Sequence, residues 1–382
     1  MAHSTYRLGD HGTAVAEVRV LLYRLDLLAR PADTVDLRAG DLFDRDVDRA
    51  VRTFQQRRGV TVDGIVGPVT WRLLEEAHWR LGDRVLAHVP GHLLAGDDVT
   101  TLQRRLLDLG FDVGRVDGVF GTHTERAVKE FQRNVGSTVD GLCGPLTFRA
   151  LERLSRTVVG GAPEALWEAE RIRHRGRLRV VLIDPGHGGL DRGACAPERP
   201  EVDEARLAED LAARVEGRLA VSGVVVHLSR GRLRPGDPAP DDGERAAVAN
   251  RLDADLVISL HCDASADRMA NGVATYYYGN RALGVHSAIG ETFAGLVQDE
   301  IAARTGLRDC HTHGKTWGLL RHTVMPAVRI EVGYLTHPQD AARLADPAFR
   351  DLVAEAVVAA VQRLSEPRDE DPRVLRLPHL VG

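Results

Sequence analysis

Residues 178–189 read Leu-Arg-Val-Val-Leu-Ile-Asp-Pro-Gly-His-Gly-Gly, and this stretch decides the fold of the second half of the chain. Its run of branched apolar residues is typical of a buried strand. The run ends at Asp184, and glycines on both sides of His187 leave the backbone room to turn. The stretch therefore predicts a strand that delivers a histidine to one edge of a sheet.

The chain that follows alternates between strands and helices. Further strands are predicted over residues 223–228, 254–261, 273–278 and 327–332. Helices are predicted over 204–219 and 244–252, with a long helix ending near 304 and a closing helix from about 347. This alternation is typical of an α/β domain with a mostly parallel sheet and flanking helices. Polar residues just beyond the strand ends are then natural site candidates.

Three such polar residues form a candidate metal-binding set. His187 follows the first strand, His261 ends another buried strand, and Glu204 opens the helix between them. Zinc in hydrolytic sites typically has three protein ligands and one open position, and two histidines with one carboxylate are a known version. Glu201 and Glu209 are nearby alternatives, but the apolar residues that follow Glu204 at helical spacing favour Glu204. The expected cofactor is Zn²⁺.

Glu331 lies on an otherwise apolar predicted strand, where an unpaired carboxylate is expensive to bury. One interpretation is a buried ion pair with Arg245 or Arg329. The other is a general base that acts on a water molecule at the metal. The residues alone leave both interpretations open.

The first half of the chain contains an internal duplication. Residues 50–51, 54–55, 62–64 and 67–68 read Ala-Val, Phe-Gln, Val-Asp-Gly and Gly-Pro, and the same residues recur 77 positions later. Further upstream the matching residues lie 84 positions apart, so the first copy holds seven extra residues, which we place in a surface loop within 29–40. Each copy predicts three short helices around one small core.

The duplicated pattern resembles the peptidoglycan-binding domain type 1 family over about residues 6–155. The resemblance implies two small all-α domains, over 6–80 and 88–156, that bind peptidoglycan. A linker over 157–176 follows, since this stretch contains Gly-Gly-Ala-Pro and then charged residues. Because the pattern occurs twice at a constant shift, the resemblance is specific.

The second half resembles the zinc N-acetylmuramoyl-L-alanine amidase family (amidase type 3) over about residues 178–365. The similar blocks, in order, are residues 183–189, Glu204 ahead of its helix, 228–230, Arg245 with 249–250, 254–261 and 326–334. The resemblance implies a catalytic domain over 177–366 that hydrolyses the lactyl–L-alanine amide of peptidoglycan or muropeptides. It also implies His187, Glu204 and His261 as zinc ligands and Glu331 as the catalytic glutamate.

Two stretches depart from that pattern. Cys262 and Asp263 follow the second histidine, where the family usually has a small residue and then an asparagine. Residues 310–318 form a predicted loop that contains Cys310, His311 and His313. These three residues suggest a second metal site as one interpretation. The other interpretation, which we favour, is that they are simply polar residues on the surface.

Composition limits the partners and the location. A length of 382 residues predicts two or three domains. The net charge of −5 does not favour nucleic acid or an anionic membrane. No apolar run approaches the roughly 20 residues of a transmembrane helix. The first residues lack the apolar segment of a secretory signal, so we expect a cytoplasmic protein. It would reach the cell wall by nonclassical export, by release on lysis or by a phage-type delivery route. Residues 367–382 are expected to be a flexible tail.

Two functions fit these observations. The first is a wall hydrolase whose repeats concentrate peptidoglycan near the catalytic domain. The second is a cytoplasmic, non-hydrolytic regulator of peptidoglycan precursor synthesis that binds a protein partner, because the domain order also resembles a group of cytoplasmic actinobacterial amidase homologues. An intact set of ligands with Glu331 favours chemistry, whereas the missing signal favours regulation.

Overall fold

The computed structural model describes residues 5–29, 40–91, 93–155, 178–234, 236–280 and 283–365. The linker at 157–176 and the tail at 367–382 lie outside these residues, as does the surface loop apart from positions 29 and 40. No helix in the described part is long and apolar enough to cross a membrane. The location of the protein and the bounds of its domains stay predictions.

The duplicated half is helical, as predicted. Within the described residues the first copy contains α1 (Thr13–Arg24), α2 (Arg45–Arg58) and α3 (Pro68–Ala77). The second copy contains α4 (Asp97–Asp108), α5 (Thr122–Asn134) and α6 (Pro145–Ser155). Phe43, Phe54 and Trp71 pack in the small core of the first copy. We call the copies the first repeat (residues 6–80) and the second repeat (88–156).

A buried glutamine explains the repeated Phe-Gln and Val-Asp-Gly residues. Gln55 accepts a hydrogen bond from the backbone N–H of Gly64 at 2.9 Å and donates to Asp63 Oδ1 at 2.7 Å. Gln132 accepts from Gly141 N–H at 2.9 Å and donates to its own turn in the same way. The motif therefore satisfies a turn before the third helix whose backbone would otherwise be buried without partners.

The structure shows a further copy of this turn in the second repeat, which the duplicated sequence pattern does not predict. Gln103 on α4 accepts from Gly118 N–H at 2.8 Å and donates to Asp117 Oδ1 at 2.8 Å. In the first repeat Arg19 stands 84 positions earlier and instead donates to Asp44 at 2.7 Å. The duplication does not reveal this turn, because its glutamine has no counterpart in the first repeat.

The second half forms the predicted α/β domain. Its strands are β1 (Val180–Pro185), β2 (Cys195–Ala196), β3 (Arg199–Asp203), β4 (Val225–Leu228), β5 (Leu256–Asp263), β6 (Val273–Asn280), β7 (Val285–His286), β8 (Asp309–Lys315) and β9 (Ala327–Tyr334). Its helices are α7 (Glu204–Val221), α8 (Asp242–Arg251), α9 (Ala288–Thr305), α10 (Gly318–His322), α11 (Pro338–Ala345) and α12 (Pro347–Ser365). The prediction of a loop over 310–318 was wrong for residues 310–315, because β8 occupies them.

The main sheet has seven strands in the order β4-β1-β5-β9-β6-β7, with β8 paired to β6. Strands β4, β1, β5 and β9 are parallel to one another, whereas β6 runs antiparallel to β9 and parallel to β8. The small β2–β3 hairpin lies outside this sheet. The carboxyl ends of β1, β5 and β9 therefore meet at one edge, which is where the sequence placed its candidate residues.

The two faces of the sheet are covered differently. Helices α7, α9 and α12 pack on the face that carries Ile183, Ile258 and Ile330. Helices α8 and α10 pack on the opposite face, together with the second repeat, whose apolar core is continuous with Leu182 and Val257. The second repeat is thus docked on the sheet through buried apolar surface, the term that dominates such associations.

Polar contacts fix this docking. Arg115 of the second repeat donates to Thr323 O at 2.6 Å, and its guanidinium lies 4.4 Å from the ring centre of Tyr278. Arg321 on α10 pairs with Glu76 of the first repeat at 2.6 Å. Both arginines are buried, so each contact replaces water that the charge would otherwise need. Both repeats therefore contact the α/β domain directly.

The turn glutamine gives a test of the repeat fold. Gln55→Leu leaves the buried Gly64 N–H without its acceptor, so we expect a loss of about 2 kcal/mol in the free energy of unfolding. Gln56→Leu is the matched control, since Gln56 is exposed on the same helix, and we expect it to change stability by less than about 0.5 kcal/mol. Denaturant unfolding of the full chain measures both. Equal losses in the two variants would contradict the role of the buried amide.

Candidate metal centre

His187 lies in a loop whose backbone carbonyls accept hydrogen bonds from two arginines. It adopts a positive φ of 56°, a conformation that costs a non-glycine residue about 1 kcal/mol. Arg230 donates to the carbonyls of Pro185 and Gly186, both at 3.1 Å. Arg245 donates to Pro185 O at 2.7 Å and to His187 O at 3.0 Å. These bonds to consecutive carbonyls offset the strain and fix the direction of the imidazole.

Asp184, at the end of β1, anchors the same loop. Its carboxylate is buried and accepts hydrogen bonds from Ser229 and, at 2.7 Å, from Ser259, and it pairs with Arg245 at 2.8 Å. Burial alone would raise the pKa of Asp184, but the Arg245 guanidinium and the two hydroxyls hold it below its usual value. Asp184 therefore stays ionised and ties β1 to β4, β5 and α8.

Glu204 is positioned by the start of α7 and the end of β5. Asp203 caps the helix by accepting from Arg206 N–H at 2.9 Å. The Glu204 carboxylate accepts from Ala194 N–H at 2.9 Å and from Cys262 N–H at 3.1 Å. Two backbone donors from separate segments leave the carboxylate one orientation, with Oε1 directed to the edge of the sheet.

The structure brings His187, Glu204 and His261 together. Glu204 Oε1 lies 3.0 Å from His187 Nε2 and 2.7 Å from His261 Nδ1. One potential ligand atom of each residue falls within 4.8 Å of the others, and among the described residues this is the one such group of histidine, cysteine and acidic side chains. Of the three glutamates weighed from the sequence, Glu204 is the one that joins the histidines. The trio could hold a metal ion.

An acidic residue that the sequence analysis did not single out supports His187 from outside the trio. Asp191 Oδ2 lies 2.7 Å from His187 Nδ1, the nitrogen that faces away from Glu204. A carboxylate at this position fixes the ring and its tautomer, which metal-binding histidines commonly require. Its position four residues after the histidine, at the end of the glycine-rich turn, was the signal available in the sequence.

Burial and neighbours set different protonation states in the trio. Burial would raise the pKa of Glu204, but hydrogen bonds from the two histidines hold it well below its usual value. Burial lowers the pKa of His261 to about 4, helped by the charge of Arg329. Burial also opposes the charge on His187, yet the carboxylates of Glu204 and Asp191 raise its pKa. An anionic carboxylate and a neutral imidazole are therefore present at neutral pH, as metal binding requires.

Glu331 lies on β9 directly beside the trio. It pairs in register with His261 on β5, and paired residues share a face of the sheet. Arg329 forms an ion pair with Glu331 Oε1 at 2.6 Å, whereas Arg245 pairs with Asp184 instead. Of the two ion-pair partners considered for Glu331, the structure therefore contains the pair with Arg329.

The second oxygen of Glu331 remains without a partner. Its Oε2 is buried and has no hydrogen bond to any described residue. Burial raises the pKa of this carboxyl to about 7, although the Arg329 charge opposes the shift. A carboxyl with one oxygen fixed, one oxygen unused and a pKa near neutrality is suited to accept and return a proton.

Aromatic and basic side chains lie next to Glu331, and we call this group the rim. It consists of Tyr276, Trp317, Lys315 and Arg329. The rings of Tyr276 and Trp317 lie 4.6 Å apart, and the Arg329 guanidinium lies 4.8 Å from the Trp317 ring centre. Lys315 Nζ lies 5.8 Å from Tyr276 and 5.7 Å from Trp317. The sequence analysis missed Lys315 and Tyr276 as a group because they come together only when β8 pairs with β6.

The cysteines and remaining histidines considered from the sequence do not join a metal group in the described part of the chain. His313 Nε2 contacts Cys310 O at 2.7 Å, and His311 lies 3.3 Å from Asp309. Cys262 belongs to the apolar core, and burial raises the pKa of its thiol well above the usual value. A protonated core thiol is a poor competitor for a metal ion.

Comparison with known proteins identifies the class of this chain. Residues 181–363 match the sequence family described as N-acetylmuramoyl-L-alanine amidase, and residues 11–74 and 95–151 match the putative peptidoglycan binding domain. The amidase CwlM of Mycobacterium tuberculosis is 48% identical over 368 residues, which cover 94% of this chain and 89% of CwlM. The chain therefore belongs to the N-acetylmuramoyl-L-alanine amidase family and carries peptidoglycan-binding domains ahead of the amidase domain.

Other relatives match the second half. LytC of Bacillus subtilis, an N-acetylmuramoyl-L-alanine amidase, is 29% identical over 201 residues, or 52% of this chain and 38% of LytC. The solved catalytic domain of CwlV from Bacillus (Paenibacillus) polymyxa var. colistinus is 31% identical, with a TM-score of 0.44, over 48% of this chain and 97% of that domain.

Close packing behind His261 gives a test of the metal centre. A Cβ added at Gly186 would overlap the His261 ring, so we expect Gly186→Ala to displace that imidazole and weaken divalent-metal binding at least about tenfold. Gly217→Ala on α7 is the control, because a Cβ there meets nothing within 4 Å. Calorimetric titration of the metal-free protein measures both affinities, and equal affinities would contradict the assignment.

Proposed function

We propose that the chain is a zinc-dependent hydrolase that cleaves the amide between the lactyl group of N-acetylmuramic acid and L-alanine in peptidoglycan or muropeptides. The observation that carries the proposal is the convergence of His187, Glu204 and His261 at the sheet edge, with Glu331 directly beside them. In this proposal the trio holds Zn²⁺ and Glu331 is the general base.

The donor set fits zinc. Two imidazole nitrogens and one carboxylate oxygen match a common hydrolytic zinc site, which keeps one coordination position open. When bound, zinc supplies Lewis acidity that activates a water molecule and polarises the scissile carbonyl. The hydrogen bond from His187 to Asp191 supports the same assignment, since it directs the other ring nitrogen to the metal.

Glu331 would move the protons of the reaction. Arg329 holds Oε1, so Oε2 is the oxygen that would accept a proton from the attacking water. The same oxygen would return the proton to the departing L-alanine amine, as microscopic reversibility requires for a single acid–base group. The amide bond breaks, and the products are a glycan strand and a free stem peptide.

The repeats would serve this reaction by holding peptidoglycan near the catalytic domain, which raises the effective substrate concentration. In this proposal residues 6–80 and 88–156 are the binding domains and residues 177–366 the catalytic domain. The direct test is incubation of the purified, zinc-loaded protein with defined muropeptides, scored for free stem peptide. Absence of release despite bound zinc would favour the non-hydrolytic regulator with a protein partner.

Substitution of the proposed base separates chemistry from metal binding. We expect Glu331→Gln to abolish release of stem peptide while the protein retains zinc, because the amide cannot accept the water proton. Glu201→Gln is the control, since Glu201 is exposed on β3. Released peptide is measured by chromatography and bound zinc by elemental analysis. Near-full activity of Glu331→Gln would remove this residue from the proposed role.

The Arg329 ion pair sets where the base titrates. Activity should rise with pH as Glu331 ionises, because only the carboxylate accepts a proton. Arg329 lowers the pKa of Glu331, so Arg329→Leu should raise that pKa and move the acidic limb of kcat/KM to higher pH. Arg329→Lys keeps the charge and should move the limb less. Identical pH profiles for the wild type and the Leu variant would contradict this assignment.

A further inference from the structure

Lys315 lies on the same face of the sheet as Glu331. His313 pairs in register with Tyr276 on β6, and Tyr276 pairs with Arg329 on β9. Paired residues share a face, and so do residues two positions apart on one strand. Lys315, two residues after His313, therefore belongs to the face that presents Arg329 and Glu331.

The Lys315 ammonium lacks an acidic partner. It is half-buried, and no described carboxylate lies within 4 Å of it. Burial lowers its pKa, with no compensating carboxylate. The chain has one other lysine, Lys129, and that side chain pairs with Glu125 at 2.6 Å. A half-buried cation without a counter-ion is costly, so Lys315 is a candidate for binding an anion from outside the chain.

The surroundings of Lys315 favour a specific ligand over free solvent. Tyr276 and Trp317 present rings within 6 Å of the ammonium, which limits its contact with water. Arg329 lies on the Trp317 ring as well, but its charge is already paired with Glu331. Among the described side chains around Tyr276 and Trp317, Lys315 is therefore the cation that remains available to a ligand.

The first repeat holds this segment in place. Thr316 Oγ1 donates to Arg58 O, at the end of α2, at 2.7 Å. A Cβ at Gly59 would lie 3.1 Å from Gly314 O and 3.5 Å from Lys315 Cα, so the two backbones are in close contact. This contact reduces the freedom of the segment that carries Lys315, which lowers the entropy cost of binding a ligand there.

We propose that Lys315, flanked by Tyr276 and Trp317, forms a subsite for the α-carboxylate of an acidic stem-peptide residue directly after the L-alanine of the scissile amide. The subsite rests on the proposed hydrolytic function of the neighbouring centre. The ammonium pairs with the carboxylate, and the aromatic rings exclude water from the pair. A peptide that carries a carboxamide at the same position lacks the charge and binds less well.

The distances suit this assignment. Strands in a sheet lie about 4.8 Å apart, so β8 is roughly 10 Å from β9. Two residues of extended peptide span about 7 Å, and the lysine side chain turns back over Tyr276 on the strand between. A carboxylate one residue beyond the attacked amide therefore reaches the ammonium while the amide lies beside Glu331.

The test uses two synthetic N-acetylmuramoyl tripeptides that differ only at the α-position of the isoglutamyl residue, which carries a carboxylate in one and a carboxamide in the other. Binding is measured by calorimetry with the full-length, zinc-loaded Glu331→Gln variant, and kcat/KM is measured with Glu331 intact. Lys315→Gln removes the charge, Lys315→Arg retains it, and Lys129→Gln is the matched control. Thermal melting checks that each variant is folded.

We expect a carboxylate preference of about tenfold in Kd, the size of one charge-assisted contact. Lys315→Gln should reduce the preference to about one, whereas Lys315→Arg and Lys129→Gln should keep most of it. Equal binding of the two peptides, or a preference that survives Lys315→Gln, would overturn the subsite. Selective binding without peptide release would instead contradict only the hydrolytic function, and release without selectivity would contradict only the subsite.

Discussion

The arrangement of the candidate site in the α/β domain depends on the hydrogen bonds and the ion pair of the buried Asp184 carboxylate. It joins Ser229 after β4, Ser259 on β5 and Arg245 on α8 to the end of β1. A buried charge is costly unless it is paired and hydrogen-bonded, so these elements must keep their relative positions. The loop that carries His187 begins at this residue, and its geometry follows from the same contacts.

Much of the candidate site could be predicted because its residues interrupt apolar patterns. His187, His261 and Glu331 each follow or interrupt a strand of branched residues, and strand order then places them at one edge. Glu204 was harder to choose, because its selection depends on the backbone donors at Ala194 and Cys262, which no local pattern reveals.

Contacts between distant segments could not be predicted from the sequence. The pairing of β8 with β6 brings Lys315 to Tyr276 across more than thirty positions, and the segment had been expected to be a loop. The docking of the repeats was also missed, because each copy reads as a module with its own core. The second repeat nevertheless shares its apolar core with Leu182 and Val257, and such a surface carries no periodic signal.

Arg329 and Lys315, the two cations discussed near Glu331, have different electrostatic roles. Arg329 stands two positions before Glu331 on the same strand and face, and both its Nε and Nη2 contact Oε1 at 2.6 Å. This contact is part of the folded strand, so the charge of Arg329 acts on Glu331 whether or not a ligand is present. A guanidinium suits such a fixed role because it is planar and always charged.

Lys315 has the complementary properties. It lies two strands from Glu331, and its compact ammonium on a flexible stem can meet an anion without releasing an internal partner. If the two cations exchanged roles, each arriving carboxylate would have to compete with Glu331 for the same charge. In the proposed reaction, this separation keeps the pKa of Glu331 independent of the bound anion. One site can then bind a charged substrate and still use Glu331 as an acid–base group near neutral pH.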